Sequence, residues 1–338
     1  MTDEDFAPLL KRVADGLPLD AEASSRAFGA IMAGSVSDVR IAAFLGALTV
    51  RRPTVEEIVG AVRTMRANMQ SIEANPYAID LCGTGGDGQH TLNISTACSF
   101  IVAACGIPVA KHGNRNMSSK SGAADVLEAL GVKIDLEPSG ASRCLREAGL
   151  CFLFAQKYHP AMARVAPVRK ELGFRTIFNL LGPLSNPARV RRQLIGVFAP
   201  EWVAPLAKAL AQLGTELAWV VHGGGMDELT TTGTTKIAVL EGGKVTTKEI
   251  TPEDVGLPRA VMSDIVGGSA AENAAAMRDL FAGKKGPYRD IVLLNAAASL
   301  IVGGKCEVLK DGIALAAETI DSGTAAATLT KLVECSNA

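Results

Sequence analysis

The sequence predicts an α/β fold with a small N-terminal helical domain and a larger α/β domain whose mostly parallel central sheet is flanked by helices. Three patterns carry the prediction. Up to about Ser71 apolar residues recur only at helical spacing; after "NPYAID" short apolar runs alternate with helical stretches; one later segment, His159 to Ala188, leaves that alternation without a strand.

The elements follow in order. In "TVEEIVGAVRTMRANM" the residues Val55, Ile58, Val59, Val62, Met65 and Met69 share a helical face behind a Thr54-x-x-Glu57 capping box. The strand candidates are "YAIDLC", "IPVAK", "VKIDL", "CFLFA", "RQLIGVF" and "LAWVV", separated by helical stretches such as "SGAADVLEALG" and "PEWVAPLAKALAQLG". "KIAVLEGGKVTTKEI" reads as a hairpin turning at Gly242 and Gly243, and Ala-rich helices return after Ser269, Ile291 and Glu307. The strandless segment is expected to pack on the N-terminal helices. The resulting division is 1–72 plus an excursion at about 159–188 for the helical domain, and 73–158 with 189–338 for the α/β domain.

Composition narrows the function classes. Lys plus Arg number 34 and Asp plus Glu 35, a net charge of -1, so no global field favours nucleic acid or an anionic membrane. The longest apolar stretches, such as "IVLLNAAASLIVGG", are broken by Asn or Gly and are too short to span a bilayer. The acidic start "MTDEDFAPLL" lacks the features of a secretory signal, so a cytoplasmic location is expected. The seven cysteines include no C-x-x-C pair, which suits free thiols packed as small hydrophobes.

The stretch "GTGGDGQHTLNIST", Gly83 to Thr96, concentrates glycines, hydroxyls and one carboxylate after a strand candidate. "GTGGDG" formally matches the dinucleotide fingerprint, which also requires an acidic residue about 20 positions later to hold a ribose hydroxyl. From Gly88 to Ala124 there is no Asp or Glu, while Lys111, Arg115, Lys120, His90 and His112 all fall within that window. A P-loop is ruled out by the missing Gly-Lys-Ser/Thr ending. What remains is a polyanion site. Glycines would admit backbone N–H groups to phosphate oxygens, and a helix starting near Ser95 would aim its positive end there. Thr91, Asn93, Ser95 and Thr96 would add neutral donors, and Lys111 and Arg115 charge. Asp87 is better suited to sugar hydroxyls than to phosphate. The competing structural reading is a tight strand-to-helix turn with an ordinary cap.

A second constellation is "VVHGGGMDELTTTG", where a strand ends in His222 and the adjacent carboxylates Asp227 and Glu228 follow three glycines. Such a pair could hold Mg²⁺ on oxygen ligands, although a solvated surface pair is the default for two neighbouring acids. His222 itself reads as structural.

"GTGGDG", "NIST", "KHGNRNMSSKSGAADVLEALG", "HPAMARVAPVRKELGFRTIFNLLGPLSNPA" and "HGGGMDE", in this order and over nearly the whole chain, resemble the anthranilate phosphoribosyltransferase family of tryptophan biosynthesis. The resemblance implies a homodimer joined through the helical domains, phosphoribosyl pyrophosphate and anthranilate as substrates, and Mg²⁺ as cofactor. Carried over by position, it implies a phosphoribosyl pyrophosphate site at Gly83, Gly86, Asp87, Thr91, Asn93, Ile94, Ser95 and Thr96. That site continues through Lys111, His112, Gly113, Asn114, Arg115, Asn116, Met117, Ser118 and Ser119. It implies metal ligands at Ser95, Asp227 and Glu228, and anthranilate contacts at Gly83, Asn114 and Arg169 with His112 and His159 lining the aromatic's path. Asn116, Met117, Cys82 and Cys98 depart from the commoner family residues and bear on pocket details.

The implied reaction displaces pyrophosphate from the anomeric carbon by the anthranilate amine, through a transition state with oxocarbenium character. An aromatic amine is neutral at pH 7, so no residue is required as a strong general base. Arg169 would offer its planar fork to the anthranilate carboxylate, although a solvated helix face is the ordinary place for an arginine. Closure of the helical domain on the ribose would exclude water. Rival readings are a pyrimidine nucleoside phosphorylase of similar architecture, a transferase with another aromatic acceptor, and a non-catalytic phosphate sensor or nucleic-acid binder.

Overall fold

The structure, a computed structural model, describes residues 3–115 and 121–338. Four helices open the chain: α1 (Asp3–Ala14), α2 (Ala21–Met32), α3 (Asp38–Arg51) and α4 (Val55–Ala67). The capping box expected at α4 is present, with the Glu57 carboxylate accepting the Thr54 N–H at 2.8 Å. The same buried carboxylate accepts the Leu19 N–H at 2.9 Å and pairs with Arg51, tying the turn before α2 to the junction of α3 and α4. Where α4 crosses α2, Gly60 permits the contact: a side chain there would overlap the Ala21 carbonyl.

The chain then alternates through β1 (Ile79–Gly83), α5 (Ile94–Ala104), β2 (Val109–Gly113), α6 (Ala123–Ala129), α7 (Pro138–Glu147) and β3 (Leu150–Phe154). A helical excursion follows: α8 (Ala155–Tyr158), a 3-10 turn at Pro160–Arg164, α9 (Ala166–Leu172) and α10 (Phe178–Leu181). β4 (Arg192–Gly196), α11 (Val203–Gln212), β5 (Leu217–Gly223), β6 (Thr235–Glu241) and β7 (Lys244–Ile250) resume the sheet. Four helices close it: α12 (Ala270–Phe281), α13 (Pro287–Val302), α14 (Leu309–Asp321) and α15 (Thr324–Asn337). The β6–β7 turn is at Gly242 and Gly243, both with positive φ, as a two-residue hairpin requires.

Among the described residues there is one sheet of order β3-β2-β1-β4-β5-β6-β7, parallel from β3 to β5 and antiparallel at the hairpin edge. One expected strand is absent. "VKIDL" keeps its alternation, with Val132, Ile134 and Leu136 buried, but lies outside the sheet. Side chains satisfy its backbone instead: Ser336 Oγ accepts the Lys133 N–H at 3.1 Å, and Tyr158 donates its hydroxyl to the Leu136 carbonyl at 3.0 Å. Alternation reports burial of one face, and a strand needs a paired edge as well.

Period-two burial gives the sheet two different faces. On β5, Ala218 and Val220 face a core shared with α2, α3, α4, α10 and α11, whereas Trp219 and Val221 pack with Leu294, Ala298 and Val302 of α13. On β1, Ile79 and Leu81 join the core beneath α5 and α13, leaving Asp80 and Cys82 for the other side. The excursion's Val165, Val168, Ile177, Phe178 and Leu181 belong to the same cluster as the N-terminal helices. No helix among the described residues is long and apolar enough to cross a membrane, and all seven cysteines are free.

Two buried polar contacts fasten the excursion to the sheet. Asp80, fully buried, accepts the Asn186 amide at 2.8 Å and the His112 N–H at 3.0 Å. His112 and His159 meet through their Nε2 atoms at 3.2 Å, both almost wholly buried. Burial holds the His159 pKa down to about 4, and burial with the neighbouring imidazole keeps His112 well below 6.5. Both folded values lie below the unfolded one, so the unfolded chain takes up protons first as pH falls from about 6.5 towards 4. Stability from the neutral pair is complete above that window and lost within it. His159→Gln is expected to remove about 2 kcal/mol of the acid sensitivity at about pH 5. Equal melting-temperature differences between about pH 7.5 and pH 5 in wild type and variant would show that the pair does not resist protonation.

Candidate active site

The strand order reverses direction at β1: β2 and β3 lie to one side, β4 and β5 to the other. In open α/β sheets the crevice beyond the strands' carboxyl ends at such a reversal is where ligands bind. The glycine-rich loop leaves β1 at that point. Four strands, β1, β2, β4 and β5, end there in glycine: Gly83, Gly113, Gly196 and Gly223. Gly83 and Gly196 are register partners, and Asp227 lies directly across both. A side chain on Gly83 would overlap the Asp227 carboxylate, and one on Gly196 its carbonyl group.

Asp227 accepts the Gly85 N–H at 2.7 Å, and Glu228 accepts the Ser95 N–H at the start of α5 at 3.2 Å. The three expected metal ligands, Ser95, Asp227 and Glu228, are therefore brought together. Burial and the nearby Asp87 push Asp227 up to about 7; burial and Asp227 push Glu228 up to about 8. Both residues are partly exposed. Two oxygen ligands raised first by burial, then by Asp87 acting on Asp227 and Asp227 acting on Glu228, suit a divalent cation, which would relieve that repulsion. Among the described residues no group of three or more His, Cys, Asp and Glu side chains is arranged to hold a metal, so a cation would complete its shell with the Ser95 hydroxyl, water or substrate oxygens. Asp87 is not the isolated carboxylate that the sequence suggests: it adjoins Asp227 and accepts the Gln89 N–H at 3.1 Å within the loop.

Several residues of the expected anion site are placed differently from their sequence reading. Lys111 is 3% exposed and lies beneath the loop, donating to the Leu81 carbonyl at 2.6 Å and the Ser95 hydroxyl at 3.2 Å. Its ammonium thus orients Ser95 from below. Arg115 is engaged by Asp125 at 2.8 Å and Glu128 at 2.7 Å, so its charge is neutralised by α6. The carboxylate-free window ends one residue before Asp125, which reaches back across it. Ile94 is buried in the core with its N–H bonded to the Leu92 carbonyl, which removes it as a direct ligand. His112 and His159 face each other under the surface.

Other expected residues divide between exposed and buried positions. Asn114 is exposed, its Oδ1 accepting the Arg115 N–H at 2.8 Å. Gly86 has φ +74 and Thr91 bridges to Val266. Thr96 is buried in the first turn of α5, Gly113 closes β2 against the Phe152 ring, and His222 bonds the Val197 carbonyl at 2.8 Å. Asn116, Met117, Ser118 and Ser119 lie outside the described residues. Arg169 on α9 is half-buried, with its guanidinium 5.4 Å from the Phe178 ring centre, and no carboxylate pairs with it among the described residues. Burial alone lowers its pKa. A partly desolvated guanidinium without a counter-ion suits an anionic ligand.

Three contributors escaped the sequence reading. Arg175, after α9, stacks over Phe198 at 4.6 Å and donates to the Gly86 carbonyl, joining the excursion to the glycine-rich loop. Asn295 on α13 accepts the Leu229 N–H at 2.9 Å and donates to its carbonyl at 2.8 Å, clamping the backbone next to the acidic pair. Asn273 on α12 donates to Asn93 at 2.9 Å. The only signal for either asparagine is one amide inside an apolar or Ala-rich helix.

The arrangement can accept a phosphorylated sugar at the sheet edge, a cation at the acidic pair and a carboxylate at Arg169. The helical bundle domain of the glycosyl transferase family matches residues 7–69, and the a/b domain of that family matches residues 75–326. An anthranilate phosphoribosyltransferase from Rhodopseudomonas palustris is 56% identical over 335 residues, covering 99% of each chain. The crystal structure of the Thermus thermophilus anthranilate phosphoribosyltransferase superposes with a TM-score of 0.92 at 45% identity, over 97% of this chain and 99% of that one. The Saccharomyces cerevisiae enzyme, in complex with phosphoribosyl pyrophosphate and Mg, does so with a TM-score of 0.90 at 27% identity over 99% of both chains. At these identities over nearly its full length, the chain belongs to the anthranilate phosphoribosyltransferase family.

Proposed function

We propose that this chain transfers the phosphoribosyl group of phosphoribosyl pyrophosphate to the amino group of anthranilate, releasing pyrophosphate, in tryptophan biosynthesis. The observation that carries the reading is the meeting of Asp227, Glu228 and Ser95 with the glycine-rich loop at the strand reversal. The C1–O bond to pyrophosphate breaks as the amine nitrogen bonds to C1, and the nitrogen then loses its proton to solvent. Backbone N–H groups of the loop and the N-terminus of α5 would receive the leaving group's charge, and the Asn93 amide would hold the phosphates of the bound donor. Asp227, Glu228 and Ser95 would hold Mg²⁺, which when bound offsets charge on the pyrophosphate oxygens. Arg169 would orient anthranilate through its carboxylate, and the neutral aromatic amine needs no strong base. Asn114, exposed just beyond β2, is assigned to the acceptor.

A nucleoside phosphorylase is the less favoured reading, because the acidic pair beside the loop fits a cation-bound pyrophosphate better than inorganic phosphate alone. We also infer a homodimer. Val39, Ala43, Gly46 and Val50 form one stripe along α3, with Val39 80% and Val50 89% exposed, and such a stripe on a helical bundle favours a partner helix. Seven free thiols fit a cytoplasmic protein.

Four outcomes test these assignments. Anthranilate fluorescence should fall only when enzyme, phosphoribosyl pyrophosphate and Mg²⁺ are all present, and Asp227 and Glu228 changed together to Ala should cut turnover about a hundredfold or more with the fold intact; unaltered turnover at saturating Mg²⁺ would remove the pair from the site. Arg169→Lys should raise KM for anthranilate about tenfold while that for the phosphoribosyl donor stays within about twofold, and equal rises would sink the carboxylate assignment. Val50→Glu should convert dimers to monomers in sedimentation; a dimer of wild-type affinity would place the interface elsewhere.

A further inference from the structure

Asn273 is 2% exposed, and its side chain joins three segments of the chain. Its Oδ1 accepts the Gly268 N–H at 2.7 Å, and its Nδ2 donates to Asn93 Oδ1 at 2.9 Å and to Ser121 Oγ at 2.8 Å. Around it, the 265–267 strap runs beside the loop that precedes α5: Leu92 donates to the Ile265 carbonyl at 2.9 Å and Gly267 to the His90 carbonyl at 2.7 Å. A side chain on Gly267 would lie 2.9 Å from both the Asn273 amide and the Thr91 carbonyl, so the strap is pressed against both.

Donor and acceptor parity makes this more than packing. A backbone N–H can only donate, so the Gly268 contact forces the Asn273 oxygen towards it and the Asn273 NH₂ the other way. That NH₂ can meet only acceptors. Asn93 must therefore present its oxygen to Asn273, which leaves its own NH₂ as a donor pair at the start of α5, unpartnered among the described residues. Were Asn93 turned over, its carbonyl oxygen would face an incoming anion and repel it. Ser121, held by the same amide and donating onward to the Gly268 carbonyl at 3.3 Å, fastens the chain that follows β2 to the same point.

We propose that Asn273 is a positioning residue for phosphoribosyl pyrophosphate, locking the Asn93 amide with its donors turned to the phosphates. The proposal rests on the substrate reading above but is independent of the acceptor. Asn273 touches no substrate; it acts through Asn93.

The test uses the full chain as wild type, Asn273→Ala, Asn93→Ala and the double variant, with steady-state kinetics and calorimetric binding of phosphoribosyl pyrophosphate. Asn273→Ala should raise both KM and Kd for phosphoribosyl pyrophosphate about tenfold, with kcat and the anthranilate KM within about twofold. In the Asn93→Ala background the same change should add less than about twofold, because the residue it acts through is already gone. Parallel rises in both KM values, an unchanged donor KM, or a double variant showing the product of the single effects would overturn the proposal. Should Asn273→Ala fail to fold, Asn273→Asp retains the acceptor for Gly268 and supplies no NH₂; it should weaken donor binding at least as much. Wild type that binds the donor without using anthranilate removes the acceptor reading alone, whereas wild type that does not bind it removes both.

Discussion

The site depends on side chains that are missing at the ends of β1 and β4. Gly83 and Gly196 stand as register partners, and the Asp227 segment crosses so close above them that one methyl group on either would push it away. Gly223 has the same role at the end of β5, where a Cβ would lie 2.6 Å from the Glu228 carbonyl. Flat, bare strand ends let a loop arriving after β5 lie across β1, and so place its carboxylates beside the glycine-rich loop and the start of α5. The carboxylates have no other route to those N–H groups, since they are far from them in sequence. Asn295 then holds the loop from behind by both polar groups of Leu229.

Charge at the site is arranged by burial more than by number. The chain as a whole carries -1, yet Asp87, Asp227 and Glu228 gather at one crevice with Lys111 buried below. Desolvation, with Asp87 acting on Asp227 and Asp227 on Glu228, pushes the two latter carboxylates up to about 7 and about 8. A divalent cation would restore both to the charged form and share them with substrate oxygens. The ammonium of Lys111 holds Ser95 and the β1 backbone in place, so in the proposed reaction the anion would be left to backbone and amide donors, which stabilise charge without competing for the acidic pair.

Local pattern made most of the architecture legible: helical spacing at the N-terminus, apolar runs for β1 to β5, the Gly242 and Gly243 turn, and the strandless excursion. It failed for "VKIDL", where burial alternates without a partner strand, and for Arg115, whose counter-ions stand just beyond the window that is free of acid. Those are tertiary facts. Lys111 and Ile94 carry the right residue types at the right positions, but their side-chain direction follows from strand and helix phase, which the glycine-rich spacing does not reveal. Asn273, Asn295 and Arg175 were invisible for a related reason: each acts on a segment distant in sequence, and a lone amide or arginine in a helical stretch has many commoner roles.

The two proposed substrate handles sit on different elements, and the reaction needs them at a fixed spacing. The donor side is built on the sheet edge; Arg169 is built on an excursion whose apolar core is that of the N-terminal helices. That core continues onto the sheet through Cys82, Ile195, Ala218 and Val220, and beside it lie two short buried polar contacts, Asp80 to Asn186 and His112 to His159. Buried polar contacts of this kind tolerate little displacement, because separating them leaves a desolvated carboxyl or imidazole without a partner. The surface link, Arg175 on the Gly86 carbonyl, is exposed and can exchange with water at small cost. Rigidity is thus concentrated beneath the crevice and freedom at its mouth, which suits a site that must admit two substrates and then hold an amine in line with an anomeric carbon while keeping water away from it.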